Sequence, residues 1–144
     1  MNPTFDNADR HACARVTLSF FHALDTRRYE DVAALMAEAG IWQRQGAELV
    51  GPAAVLEALQ ARPAKRTTCH VVTNLRVELE EPQTSGQPPR ARVYFYLTAY
   101  DNGSNGDGAG MRLVAIRDCC DELVKTQQGW RIARKSSRKR LPSE

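Results

Sequence analysis

Apolar residues in the first third of the chain recur every three or four residues, which is the period of an amphipathic α-helix. The pattern predicts a first helix from about Asn7 to Leu24. Its apolar face consists of Cys13, Val16, Phe20 and Leu24. A second helix is predicted after Asp25-Thr26, either of which can cap it, and Gly40 is expected to end it. The apolar face of this helix consists of Tyr29, Val32, Leu35 and Met36.

Turn residues then divide the next segment into a small hairpin and a third helix. The hairpin is predicted from residues 41–45 and Glu48–Val50, turning at Gln45-Gly46-Ala47. The third helix begins at Gly51-Pro52, because a proline in the first helical turn loses no hydrogen bond. It is expected to end at Arg62-Pro63. Its buried residues are predicted to be Val55, Leu56 and Leu59.

From Thr67 onward the period changes to two, which is typical of β-strands. Four long strands are predicted, at about 67–80, 90–101, 111–126 and 129–138. The segments between them are rich in turn residues and span 81–89, 101–110 and 127–129. Helices followed by consecutive strands indicate an α+β fold with an antiparallel sheet.

Both faces of the strand at 90–101 are too apolar or aromatic for full exposure to water. One face carries Val93, Phe95, Leu97 and Ala99, and the other carries Tyr94, Tyr96, Thr98 and Tyr100. Helices packed on one face and a second subunit on the other would cover both. We therefore expect a homodimer formed through the sheet.

The composition fits one globular domain spanning residues 1–144, of which 42% are apolar. No apolar run approaches the ~20 residues needed to span a bilayer, and the N-terminus lacks the apolar stretch of a secretory signal. We therefore expect a cytoplasmic protein without membrane contact. Its cysteines are expected to be buried free thiols. They are Cys13, Cys69, Cys119 and Cys120.

Positive charge is concentrated at the C-terminal end of the chain. Six basic residues and one acidic residue between Gln128 and Glu144 give this segment a net charge of +5, against +3 for the whole chain. We expect a domain core at about 8–138 and a solvated basic tail at 138–144. Nucleic-acid binding is not expected, because no aromatic residues alternate with the basic ones and no known binding module is present.

Metal and cofactor motifs are not found. The loop from Asp101 resembles a calcium-binding loop, but its third position is Gly103 and its twelfth is Arg112 instead of glutamate. His11 and His22 lie eleven residues apart on one helix, or roughly 16 Å, which is too far to share a metal ion. We therefore expect either catalysis without a cofactor or no catalytic activity.

His70 is the strongest candidate for chemistry. It lies in the predicted strand TTCHVVTNLRVELE (67–80), where a strand can hold an imidazole in a fixed orientation. An imidazole titrates near neutral pH and can transfer protons. A strand histidine can equally be a structural residue satisfied by hydrogen bonds.

The order of the motifs adds a further clue. In sequence they are ALDTRRYEDVAALM (23–36), IWQRQG (41–46), GPAAVLEAL (51–59), TTCHVVTNL (67–75) and GWRIARK (129–135). Over about residues 8–138 this order resembles the nuclear transport factor 2-like superfamily, in its SnoaL-like and scytalone dehydratase-like branch. The resemblance implies a cystatin-like cone, in which a strongly curved antiparallel sheet wraps around three N-terminal helices. It further implies an apolar pocket inside the cone and dimerisation through the back of the sheet.

The resemblance also assigns candidate site residues. His70 and Asn74 match the histidine and asparagine of the family's H-x-x-x-N strand, Asp25 matches an aspartate after the first helix, and Trp42 matches an aromatic residue of the pocket wall. In catalytic members a His–Asp pair moves protons during dehydration, isomerisation or cyclisation of small hydrophobic, often aromatic, substrates. His70 and Asp25 would accordingly be catalytic, and Trp42 and Asn74 would bind substrate. We therefore expect His70 to point into the cone, near Trp42 and within hydrogen-bond or single-water reach of Asp25.

Each assignment has a structural alternative. Asp25 could be a helix cap, Trp42 a core residue, and Asn74 a residue that satisfies the backbone at a β-bulge. The chain also has Leu24 where scytalone dehydratases have tyrosine, and residues 90–101 contain no second histidine. These departures argue against that particular dehydration.

Three functions remain open from the sequence. The first is a cofactor-independent lyase or isomerase that uses His70 and Asp25. The second is a non-catalytic protein that binds a small hydrophobic ligand in the same pocket. The third is an assembly module that resembles the small subunit of ring-hydroxylating dioxygenases.

Overall fold

The computed structural model describes residues 3–103 and 110–143, with side chains from Asp6 onward. Within these residues the elements are α1 (Pro3–Asp25), α2 (Tyr29–Ala34), β1 (Met36–Arg44), β2 (Ala47–Val50), α3 (Gly51–Gln60), β3 (Thr68–Glu80), β4 (Arg90–Asp101), β5 (Arg112–Thr126) and β6 (Gly129–Leu141). The strands form one sheet in the order β2-β1-β6-β5-β4-β3. The predicted α+β class is confirmed.

The first helix packs across the sheet, where it contacts β3, β4 and β6. The predicted apolar face of α1 is buried, and it meets the apolar face of β4. Core residues of the two elements include Cys13, Val16, Phe20 and Leu24 from α1 and Val93, Phe95 and Leu97 from β4. The two periodicities read from the sequence therefore identify the faces that form the core.

The second helix is shorter than predicted. It ends at Ala34, and strand β1 begins at Met36. The carbonyl of Leu35 accepts a hydrogen bond of 2.8 Å from the backbone N–H of Ile132, so the chain joins the sheet there. A Cβ atom on Gly40 would clash with the Ile132 carbonyl oxygen, so glycine allows β1 to lie close to β6. The prediction that Gly40 ends a helix is therefore wrong.

The sheet has six strands instead of the four long ones predicted. The small hairpin at 41–50 is present as β1 and β2, with Gln45 (φ 52°) and Gly46 (φ 79°) in the left-handed conformation of a tight turn. β1 also pairs with β6, and this pairing is parallel, unlike the other four. Register shifts in the pairings between long strands bend the sheet around the helices.

The third helix has the predicted start and buries Val55 and Leu59, with Leu56 partly buried. Beyond its end, the Arg62 guanidinium donates a hydrogen bond of 3.1 Å to the hydroxyl of Tyr29. Arg62 thus connects the segment after α3 to α2.

The basic C-terminal residues from 138 to 140 are exposed, as predicted, but they belong to a strand and not to a free tail. β6 continues to Leu141, so a free tail beginning at residue 138 is wrong. Arg138 and Arg140 of β6 lie 3.8 and 3.3 Å from the carboxylate of Asp118 on β5. Strand pairing and these ion pairs explain why the charged segment is ordered.

The cysteines are only partly as expected. All four are free thiols, but Cys69 is exposed because it lies on the outer face of β3.

The predicted hairpin loop at 101–110 includes residues 104–109, which lie outside the described residues. At its start, Asp101 is held by Arg112 through hydrogen bonds of 2.7 and 3.1 Å. No helix in the described part of the chain is long and apolar enough to cross a bilayer.

Candidate functional site

A cavity of about 820 Å³ lies between α1 and the inner face of the sheet. This is the size of a typical small-molecule site. Its apolar wall includes Phe21, Leu24, Trp42, Phe95 and Leu97. Its polar wall includes Arg44, Arg62, Arg66, His70, Arg117, Asp121, Lys135 and Lys139.

Asp25 joins the end of α1 to the first residues of β3. Its carboxylate accepts hydrogen bonds from the His70 backbone N–H at 2.7 Å and from the Thr68 hydroxyl at 2.8 Å. His70 Nδ1 lies 2.6 Å from Asp25 Oδ1. Asp25 does not cap α2, which begins after Arg28 without a side-chain cap. The predicted contact between His70 and Asp25 is therefore present.

The ionisation of Asp25 fixes the proton on the His70 ring. Burial by itself would raise the pKa of Asp25, but hydrogen bonds from the His70 ring, the His70 backbone and Thr68 outweigh it and lower the pKa. Asp25 is thus ionised at neutral pH and can only accept hydrogen bonds, so Nδ1 donates. In the neutral ring, Nε2 then keeps its lone pair. Among the described residues, none hydrogen-bonds to Nε2, and His70 lines the cavity.

Aromatic rings form the cavity wall near His70. The ring of Phe21 lies 5.2 Å from the imidazole, centroid to centroid. Trp42 also lines the cavity, and its ring packs edge-on against Phe20 at 5.2 Å. Trp42 therefore packs against the core and also lines the cavity, so both alternatives given from the sequence apply.

Asn74 does not face the cavity, so its predicted place in the substrate pocket is wrong. It adopts a φ of 54°, and the pairing of β3 with β4 shifts by one residue between Thr73 and Arg76. This is a β-bulge, after which odd-numbered instead of even-numbered residues of β3 face inward. Asn74 is exposed, while Leu75 turns inward. Asparagine tolerates the left-handed conformation that the bulge requires.

A buried ion pair in the cavity wall was not anticipated from the sequence. Lys135 Nζ on β6 lies 3.0 and 3.1 Å from the two carboxylate oxygens of Asp121 on β5. Thr17 of α1 donates to the same carboxylate at 2.8 Å. The ammonium also lies 4.2 and 4.4 Å from the ring centroids of Phe20 and Phe21.

The alternation of β5 contains the signal that could have identified this pair. Cys119 and Leu123 are inward apolar positions, and Asp121 lies between them at the same parity. Lys135 belongs to the basic C-terminal segment by sequence, but unlike the exposed basic residues later in that segment it is buried. Within residues 6–103 and 110–143, no three His, Cys, Asp or Glu side chains converge to hold a metal ion.

Comparison with known proteins identifies the family. The family model of the SnoaL-like domain matches residues 6–136, which is most of the chain, so the protein belongs to the SnoaL-like domain family. No curated protein sequence matches the chain.

Solved structures with the same fold include three proteins from Novosphingobium aromaticivorans. An NTF2-like protein with a cystatin-like fold has a TM-score of 0.80 and 16% identity, over 98% of this chain and 88% of that one. A candidate scytalone dehydratase has a TM-score of 0.69 and 19% identity, over 91% and 83%. A candidate aromatic ring hydroxylase has a TM-score of 0.69 and 21% identity, over 94% and 91%. At these identities the likeness establishes the NTF2-like, cystatin-like fold.

Proposed function

We propose that this member of the SnoaL-like domain family is a cofactor-independent lyase or isomerase that acts on a small hydrophobic or aromatic molecule. The observation that carries the proposal is the His70 ring in the cavity wall, with Nδ1 2.6 Å from Asp25 and Nε2 left without a described partner. This is the arrangement of a general base whose tautomer is held by a carboxylate.

In the proposed reaction, His70 Nε2 removes a proton from a substrate carbon next to a carbonyl group. The imidazolium that forms is stabilised by the ionised Asp25. It then returns the proton to a departing hydroxyl group, giving dehydration, or to another carbon, giving isomerisation. The imidazole and the carboxylate supply both steps of this proton transfer.

Lys135 supports the same chemistry from the neighbouring wall. Both groups lie near the Phe21 ring, whose centroid is 5.2 Å from that of the His70 ring and 4.4 Å from Lys135 Nζ. Proton removal leaves negative charge on the substrate carbonyl oxygen. The positive charge of Lys135, held in a fixed position by Asp121, can stabilise that negative charge without reorganising.

The aromatic wall supports a flat, hydrophobic substrate. Phe21, Trp42 and Phe95 line the cavity, and the Phe21 ring lies beside the His70 imidazole. The names of two structural neighbours, a candidate scytalone dehydratase and a candidate aromatic ring hydroxylase, agree with a substrate of this type.

The experiment follows proton abstraction directly, so it does not require the natural substrate. The protein is incubated in D₂O with 1-indanone, 2-tetralone and 4-chromanone, and loss of the α-proton signal is followed by NMR. We expect exchange with the wild type to be about 10²–10⁴-fold faster than with His70→Ala. His11→Ala removes an exposed histidine of α1 and should keep the wild-type rate.

Circular dichroism and thermal unfolding of both variants establish that the fold is retained. Equal exchange rates for the wild type and His70→Ala would contradict the catalytic proposal. Binding of the same ketones without exchange would indicate the ligand-binding alternative.

A further inference from the structure

Three arginines converge on one side of the cavity from separate parts of the chain. Arg44 ends β1, Arg62 follows α3, and Arg66 precedes β3, and all three line the cavity. Burial lowers the pKa of the Arg44 guanidinium, and the positive charges of Arg62 and Arg66 lower it further. The Arg44 guanidinium is thus close enough to those of Arg62 and Arg66 to be repelled by both.

In the described chain, the partners of Arg44 and Arg62 are neutral groups. Arg62 donates to the Tyr29 hydroxyl at 3.1 Å and the Thr68 hydroxyl at 3.2 Å. Arg44 lies 5.3 Å above the Trp42 ring, and no described carboxylate lies within 4.0 Å of it. Within residues 6–103 and 110–143, neither Arg44 nor Arg62 forms an ion pair with a carboxylate.

Arg66 is balanced only weakly. Its guanidinium lies 3.9 Å from Asp101, whose carboxylate already accepts two shorter hydrogen bonds from Arg112. The N–H groups of the Arg66 guanidinium therefore remain available to donate hydrogen bonds to a second anion.

The acidic residues of the cavity are engaged elsewhere. Glu48 lies 3.2 Å from Arg134, and Asp121 is paired with Lys135. The described cavity wall therefore has an excess of positive charge in a partly buried place. A bound anion would relieve the repulsion and use guanidinium donors that match carboxylate geometry.

We infer that Arg44, Arg62 and Arg66 form a subsite for the carboxylate of an aromatic or hydrophobic acid, whose apolar part lies against Trp42 near His70. The inference rests on the proposed function, because it names the substrate class of the same cavity. It predicts that the protein prefers an acid to a neutral molecule of the same shape.

Isothermal titration calorimetry with two matched probes tests this preference. 2-Naphthoate carries the carboxylate, and methyl 2-naphthoate has nearly the same shape without the charge. We expect 2-naphthoate to bind about tenfold or more tightly than the ester, with an affinity that falls as salt concentration rises. Phenyl phosphate provides a third arm, and binding tighter than that of 2-naphthoate would assign the subsite to phosphate instead of carboxylate.

Variants locate the effect at the cluster. Arg44→Gln should weaken 2-naphthoate binding about tenfold and change ester binding less than about twofold, whereas Arg44→Lys should retain part of the preference. Arg90→Gln removes the same charge from an exposed position on β4 and should change neither probe. Unchanged ester binding also shows that the Arg44 variant is folded.

The outcomes separate this inference from the function on which it rests. Equal binding of the acid and the ester, unaffected by Arg44→Gln, would overturn the carboxylate subsite and leave the hydrophobic cavity intact. Failure of both probes to bind would overturn the small-molecule cavity and the subsite together. Weakening of both probes by the same factor would assign Arg44 to shaping the cavity and overturn its role as an anion ligand.

Discussion

Asp25 receives hydrogen bonds from both the backbone N–H and the ring Nδ1 of His70, at 2.7 and 2.6 Å. One carboxylate thus determines where β3 meets the end of α1 and how the imidazole is turned. The structural and the proposed catalytic roles of Asp25 are consequently coupled. Experiments on this pair need a measurement of stability beside any measurement of turnover.

The first prediction concerns acid stability. The folded-state pKa of Asp25 is lowered, so its ionised form stabilises the fold above the unfolded pKa of about 3.9. This contribution is lost as the pH falls through the lower folded-state pKa. The difference in unfolding free energy between the wild type and Asp25→Asn should be largest near neutral pH and narrow below about pH 4.

Urea unfolding at about pH 6, 4.5 and 3 measures this difference. Asp31→Asn provides the control, because Asp31 forms an exposed ion pair with Arg28. Its effect should be small at every pH. A constant difference between the wild type and Asp25→Asn across the range would contradict the prediction.

The second prediction concerns the buried ion pair. Asp121→Asn should destabilise the protein by about 3–5 kcal/mol, because it leaves the buried Lys135 ammonium without its counter-charge. Asp118→Asn, which removes a partner of the exposed Arg138 and Arg140, should cost less than about 1 kcal/mol. Chemical denaturation of both variants gives the comparison. Equal losses of unfolding free energy in the two variants would show that burial does not determine how much the Asp121–Lys135 pair stabilises the protein.

The third prediction concerns thiol reactivity. Burial raises the pKa of Cys13 and Cys119 to about 12 and that of Cys120 to about 11, and Cys69 is exposed. Ellman's reagent at about pH 8 should modify one thiol rapidly in the native protein and four in urea. Cys69→Ser should remove the rapid phase. Rapid modification of two or more thiols in that variant would show that the core opens readily.

The fourth prediction concerns assembly. On the outer face of the sheet, Tyr94 and Tyr96 are half-buried beneath the guanidinium groups of Arg76 and Arg140, and Val71 beside them is 41% exposed. We expect a homodimer through this face. Light scattering at micromolar concentration should give about twice the chain mass of 16.1 kDa. Tyr96→Glu should shift the mass to that of one chain, whereas a monomeric wild type would contradict the prediction.

Much of the fold was predictable because long elements have a clear period. The faces of α1 and β4 follow from spacing alone, since residues such as Phe20 and Phe95 recur at regular positions. The segment from Met36 to Gly40 belongs to β1, although its apolar spacing also fits the predicted helix. Its pairing with Ile132, almost a hundred residues away, is a tertiary contact that local sequence cannot show.

The site was predictable to the extent that it follows family order and strand parity. The contact of His70 with Asp25 follows from family order. Uninterrupted strand parity would place Asn74 on the same face as His70, but the bulge at Asn74 changes the parity midway along the strand. Lys135 was missed because a charged residue is ordinarily exposed, and only the facing carboxylate of Asp121 makes its burial possible.

The extra residue at Asn74 allows one continuous strand to place side chains of opposite sequence parity on the same inner face. Before it, the even-numbered positions His70 and Val72 point inward; after it, the odd-numbered Leu75 and Val77 do so. The first part places His70 in the cavity wall, while the second part packs Leu75 and Val77 against the core. A strand with uninterrupted alternation could supply the imidazole or these leucine and valine contacts in this register, but not both.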